Sequence, residues 1–365
     1  MSQVAETILV RRIAAGPEGD RSARARFVLA LLILLLLAVT AMSIATGASD
    51  ASVIGVLEGW LGGGAESALS ARDRLIINEI RLPRIALGMF VGAALAVSGA
   101  LMQGLFRNPL ADPGIIGVSA GAALGAISVI VLGHTLLAPA VGLLGIYALP
   151  LAAFVGGLAT TLILYSVATR RGQTSIATML LAGIALAALA GALSGILIYI
   201  ADDRQLRDLT FWQLGSLGGA TWTKIGAAAP VIAVALAVTP FLARGLNALA
   251  LGEPSARHLG VAVQCIKALA ILAVAAATGA SVAFTGGIGF VGIVVPHLLR
   301  LVIGPDHRYL LPASALLGAS LLLIADAVSR TIVAPAELPI GIVTAVFGAP
   351  FFLWVLLRRR GILDL

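Results

Sequence analysis

Apolar residues run in blocks along this chain, and most blocks are close to the twenty residues a helix needs to cross a bilayer. Ten such stretches are separated by Gly, Pro or charge, at roughly 27–46, 84–105, 115–134, 143–168, 175–200, 222–242, 262–283, 286–303, 309–330 and 339–357. The pattern predicts an all-α membrane protein of about ten transmembrane helices. Residues 27–360 read as one transmembrane domain, with an N-terminal arm at 1–26 and a tail at 361–365. Gly and Pro soften the edges of several stretches, the third, eighth and tenth most of all.

Composition agrees with the pattern. Sixty per cent of the 365 residues are apolar and 11% are charged. A soluble domain needs about a quarter of its residues charged to cover its surface, so this surface faces something other than water. Forty-two glycines suit helices that approach closely without a hydrophobic driving force between them. The net charge of +7 is positional and gives no reason to expect nucleic acid. With the amino terminus in the cytoplasm and an even number of spans, both termini lie inside. The inner side then holds 16 of the 24 basic residues and the outer side 8, the asymmetry that orients membrane proteins. Asp202, Asp203 and Asp208 fall in one outer loop. Basic residues before Phe27 and small residues at Ala45–Ala48 also resemble a secretory leader, but the long apolar stretch and the charge count favour a retained first span.

Several functions are excluded or left without support. A phosphate-binding loop requires Lys followed by Ser or Thr, and the two lysines, Lys224 and Lys267, precede Ile225 and Ala268. Any nucleotide site therefore belongs to another protein. An ion-coupled carrier places carboxylates in mid-membrane. The acidic residue inside a span is Asp326, near the outer end, where Arg330 four residues later supplies a structural ion pair. The four histidines are scattered, and the lone Cys265 excludes a disulfide within the chain or a cysteine-based metal site. No residue is expected to make or break bonds, and no resident metal or cofactor is expected.

Four segments carry more specific information. The first is Arg81-Leu-Pro-Arg84, a span opened by Pro83, and the polar break Gln103-Gly-Leu-Phe-Arg-Asn-Pro-Leu-Ala-Asp-Pro113. The second is the inner loop at about 243–261, read as two short helices parted by a turn at Glu253-Pro254 and closed by Gly260. Such helices suit contact with an ATPase; a solvated loop is the plainer reading. The third, Thr285–Gly292, continues to Pro296-His-Leu-Leu-Arg300. Its glycines imply a broken helix, tolerated where it is buried or lines a cavity. The fourth is Ala336-Glu-Leu-Pro-Ile-Gly running to Phe352.

In this order and combination the segments resemble the permease subunits of ABC importers for iron–siderophores, cobalamin and haem, the FecCD family, over residues 75 to 360. The resemblance implies the type II ABC importer permease fold, working as a homodimer in the bacterial inner membrane. Two ATPase subunits would bind ATP inside, and a periplasmic binding protein would dock outside. Residue by residue, Arg81, Arg84 and Arg330 match positions that meet acidic residues of the binding protein, with lipid-headgroup anchoring as the competing reading. Asn108 and Leu110 match the cytoplasmic gate, with Thr174–Thr178 as its other half. Gly252, Glu253, Arg257 and Gly260 match the segment that couples to the ATPase.

The cargo is read from Asp202–Trp222, which resembles the haem branch through Leu206-Arg-Asp-Leu-Thr-Phe-Trp212. Phe211 and Trp212 could form an aromatic wall, and Arg204 or Arg207 could pair with propionates. A loop anchored by interfacial Trp is equally consistent. Haem is the expected cargo, with a ferric siderophore or cobalamin as alternatives.

Overall fold

The computed structural model describes residues 21–46, 71–170 and 173–358. Most of the N-terminal arm, the tail at 361–365, Arg171 and the small residues after Thr46 lie outside the described residues. Ten apolar helices follow the ten expected spans: α1 Ser22–Ala45, α2 Leu82–Phe106, α3 Val118–Leu132, α4 Ala148–Ala168, α5 Ile176–Ile200, α7 Trp222–Leu249, α9 Val263–Thr285, α10 Val291–Ile303, α11 His307–Thr331 and α12 Ile340–Arg358. Among the shorter helices between them are α6 Asp203–Leu214 and α8 Glu253–His258. A two-residue hairpin, β1 Thr169–Arg170 with β2 Gln173–Thr174, joins α4 to α5.

The bundle is built around α2. In the span that contains it, 83% of the most apolar window is buried, against 17% for α1 and for α5. Glycine makes this possible where backbones touch. A side chain at Gly92 would collide with the backbone of Gly318 on α11, and one at Gly99 with the backbone of Gly292 on α10. A small-residue face of α3 works the same way, with Gly121 and Gly125 against the backbone of Gly156 and Ala152 on α4. The outer helices expose Leu181, Ile184, Phe241 and other large apolar side chains, as a surface bathed in lipid does.

At 13 residues, α10 is only about 20 Å long at 1.5 Å per residue, short of the ~30 Å hydrocarbon core. The missing length comes from the glycine-rich segment 286–290, which runs as irregular backbone inside the protein. Gly286 takes φ +70° and packs on the Trp212 carbonyl.

Three local expectations are corrected. Pro83 does not begin a helix. Helix runs in from residue 72 through a π-turn at Ile76–Arg81, where the Leu82 N–H donates to the Ile77 carbonyl. The wider turn makes room for a proline ring that would otherwise press on the carbonyl four residues earlier. Residues 243–249 are not a separate inner helix but the last turns of α7, since the isolated Gly245 weakens a helix by about 1 kcal/mol without ending it. The turn falls at Gly252, φ +101°, and Glu253-Pro254 opens α8, where a missing N–H costs nothing. Lastly, Asp203–Leu214 is helix rather than loop, started by a reciprocal capping box between Asp202 and Gln205.

The glycine contacts predict a contrast. Gly99→Val forces α2 and α10 apart and should cost about 3 kcal/mol or more, read as a lowered melting temperature in detergent. Gly226→Val, at an open surface position of α7, should leave it nearly unchanged.

Candidate translocation path and coupling apparatus

A cavity of about 610 Å³ lies among α3, α5, α6, α9 and the segment 287–293. Its wall is mostly small or apolar, with Ser119, Gly191, Thr278 and Phe290 among its members. Trp212 of α6 reaches it, whereas Arg204, Arg207 and Phe211 stand on exposed faces of the same helix. The charged group on the wall is Asp112. Burial pushes its carboxyl above the usual range, against the opposing Gly114 N–H, which donates to Oδ1 at 2.8 Å.

At one end of the bundle the three arginines singled out in the sequence converge. Arg84 donates from Nε to Asp326 Oδ1 at 2.8 Å and from Nη1 to Glu337 at 2.8 and 3.0 Å. Arg330 pairs with Asp326 Oδ2 at 3.0 Å, the i,i+4 pair expected from sequence. It also reaches α1, donating to Ser43 Oγ at 2.9 Å and to the Thr46 carbonyl at 2.7 Å. Arg81 donates to the Ile44 carbonyl at 2.5 Å. Arg81, Arg84 and Arg330 are 4, 6 and 5% exposed, because two carboxylates and the last carbonyls of α1 satisfy them inside the chain. Glu337 is the open member of the cluster, its side chain 41% exposed.

The opposite end gathers the residues read as gate and coupling segment. Helix α2 ends at Arg107 in a left-handed turn, φ 51°. Asn108 Oδ1 then accepts from the Leu110 N–H at 3.0 Å, fixing the break. The Arg107 guanidinium lies beside Gly252. Gly260, φ +77°, closes α8, with the Val261 N–H returning to the Ala256 carbonyl at 3.0 Å. Arg257 pairs with Glu253 at 3.5 Å. Asn247, at the end of α7, holds the α10–α11 loop by donating to Asp306 at 2.7 Å and accepting from the His307 N–H at 2.9 Å. Burial opposes ionisation of Asp306, but hydrogen bonds from Arg308 and Asn247 outweigh it and bring the pKa down to about 2. A depressed carboxyl stabilises the fold above its unfolded pKa of about 3.9 and loses that contribution only as pH falls towards 2, so this clasp is insensitive to pH near neutrality.

Two residues of this end were not singled out in the sequence. Gln264 Oε1 accepts from the N–H and the hydroxyl of Thr174 at 3.2 and 3.1 Å. Lys267 lies buried between Glu253 and Thr174. A polar Gln and Lys spaced i,i+3 near the start of an apolar helix was the available signal.

Helices with apolar outer faces, a glycine-broken short helix and an open cavity between helices define a multi-pass membrane permease. Residues 33–358 match the FecCD transport family, and the chain belongs to that family. It is 50% identical to the hemin transport system permease protein HmuU of Yersinia pestis over 282 residues, 77% of this chain and 83% of that one. It is 47% identical to the cobalamin import system permease protein BtuC of Halobacterium salinarum over 287 residues, 79% and 74% of the two chains. A solved structure described as an inward-facing conformation of a metal-chelate type ABC transporter superposes with a TM-score of 0.77 at 32% identity, covering 91% of this chain and 99% of that one. The relatives are transport permeases rather than enzymes.

The arginine cluster yields a prediction. Asp326→Asn leaves Arg84 and Arg330 buried with one carboxylate between them, and the loss of stability should be about 3–5 kcal/mol, read from thermal unfolding in detergent. An unchanged melting temperature would mean that the guanidinium groups find water or other acceptors.

Proposed function

We propose that this chain is the transmembrane subunit of an ATP-driven importer in the bacterial inner membrane, moving haem from periplasm to cytoplasm along a homodimer interface. The observation that carries the proposal is α8. It presents Arg257 and His258 outward, flanked by the exposed Leu251 and Leu259, while Ala256 and the Glu253 carboxylate turn in. An exposed apolar pair bracketing a short surface helix fits a protein partner, and here that partner is one of two ATPase subunits. The segment Gly252–Gly260 seats in it and relays its state to the gate at Asn108, Leu110 and Thr174–Thr178. ATP stays on the partner. Its binding and hydrolysis shift the dimer between outward-open and inward-facing states, each favoured by the ligand that binds it better. The chain itself holds no resident cofactor and performs no bond chemistry.

A periplasmic binding protein docks at the arginine end. Because Arg84 already holds Glu337, docking becomes an exchange in which an acidic side chain of the partner displaces the exposed Glu337, while Arg81 and Arg330 keep the site in register. Haem is favoured as cargo by the Leu206–Trp212 run on α6 and by the likeness to a permease named for hemin, with Trp212 facing the cavity and Arg204 and Arg207 at its outer approach. Cobalamin is the second reading, on the 47% identity to a permease named for it; a ferric siderophore is the third.

Two experiments test this. In liposomes with ATPase and binding protein, ATP-dependent uptake of haem without cobalamin or ferric siderophore is the expected result. Uptake of another cargo keeps the machine and overturns the cargo, and uptake that follows an ion gradient without ATP overturns both. Glu337→Gln should tighten docking of the binding protein several-fold in a binding titration, and the gain should shrink as salt rises. Weaker docking in that variant would show that Glu337 serves the partner rather than competing with it.

A further inference from the structure

Lys267 is 1% exposed, and burying an ammonium is costly unless it is paired and hydrogen-bonded. Its Nζ has two partners from distant parts of the chain. It donates to Glu253 Oε1 at 2.5 Å, on the first residue of α8, and to the Thr174 carbonyl at 3.0 Å, at the end of β2. Thr174 is held a second time by Gln264, one turn earlier on α9, and a third time by its own hydroxyl against Thr169 at 2.9 Å. The hairpin that opens α5 is therefore fastened to α9, and α8 is fastened to the same ammonium. On the far side Glu253 is shared with Arg257 at 3.5 Å.

We infer that Lys267 is a positioning residue that couples α8 to the gate segment beginning at Thr174. This rests on the reading of α8 as the ATPase contact. If α8 moves alone, either the ammonium loses its carboxylate or the Thr174 carbonyl loses its donor, and a buried unpaired group costs a few kcal/mol. The path of least cost moves α8 and the hairpin together. A lysine suits the task because its three donors and flexible stem hold both acceptors through small displacements.

Hydrogen–deuterium exchange on the assembled complex of permease and ATPase, with and without a non-hydrolysable ATP analogue, tests this without knowledge of the cargo. In the unaltered complex, nucleotide should change exchange at 253–260 and, through Lys267, at 173–178, each by about fivefold or more. In Lys267→Met the response at 253–260 persists and the response at 173–178 disappears. Glu253→Gln, which leaves the bond to Thr174 in place, should reduce the hairpin response too, and it decides the matter should Lys267→Met fail to assemble or exchange fast in both states. A full hairpin response in either variant overturns the inference. No response at 253–260 in the unaltered complex overturns the reading of α8 on which it rests.

Discussion

Helices surrounded by lipid gain nothing by hiding apolar side chains from one another, so close backbone approach and buried polar contacts have to hold the bundle. Helix α2 is where this constraint concentrates. It touches α11 at Gly92 and α10 at Gly99. One turn beyond Gly99, the Gln103 amide donates towards the carbonyls of Gly292 and Ile293 at 3.5 and 3.4 Å. Those carbonyls lie in the first turn of α10, next to the irregular backbone of 286–290. The glycines that let α2 pack closely thus also position the break that walls the cavity.

Because α2 runs the length of the bundle, its two ends carry the two functional groupings. Arg84 begins it and Arg107 ends it, one in an ion cluster with α11 and Glu337, the other beside α8. Both ends contain buried charges, but in different forms. At the arginine end the cations outnumber the two carboxylates, and α1 carbonyls make up the difference. At the α8 end one ammonium serves one carboxylate and one carbonyl. Breaking either arrangement strands a buried charge, so each end holds together as a unit, with Glu337 the exposed member of the arginine cluster.

Much of this was legible in the sequence, for physical reasons that also mark the limit. Span positions follow from hydropathy, and the broken helix from Gly286, Gly287 and Gly289 in one short stretch. The Asp326–Arg330 pair follows from helical spacing. Burial of the arginines did not follow, since the partners of Arg84 lie more than two hundred residues away in sequence. Pro83 was misread because the π-turn that accommodates it has no composition of its own. The end of α7 was misread because a loop was expected where the hydropathy falls, although Asn247 and Arg244 are compatible with helix. For α6 the signal was present: Asp202 and Gln205 stand at capping-box spacing. Lys267 was invisible as a link because its partners lie 14 and 93 residues away.

The placement of charge also bears on why one scaffold serves chemically different cargoes. The strong polar interactions described here sit at the ends, among segments of the protein itself, while the cavity wall offers small and apolar groups around a single carboxylate. A wall of that kind offers few groups for strong, directional contacts. Trp212 is the α6 aromatic on that wall, while the arginines of the same helix stand on its exposed faces. The packing constraints on α2, α10 and α11 are indifferent to cargo. Relatives named for hemin and for cobalamin are accordingly about equally similar to this chain, at 50% and 47% identity over the 282 and 287 residues that align.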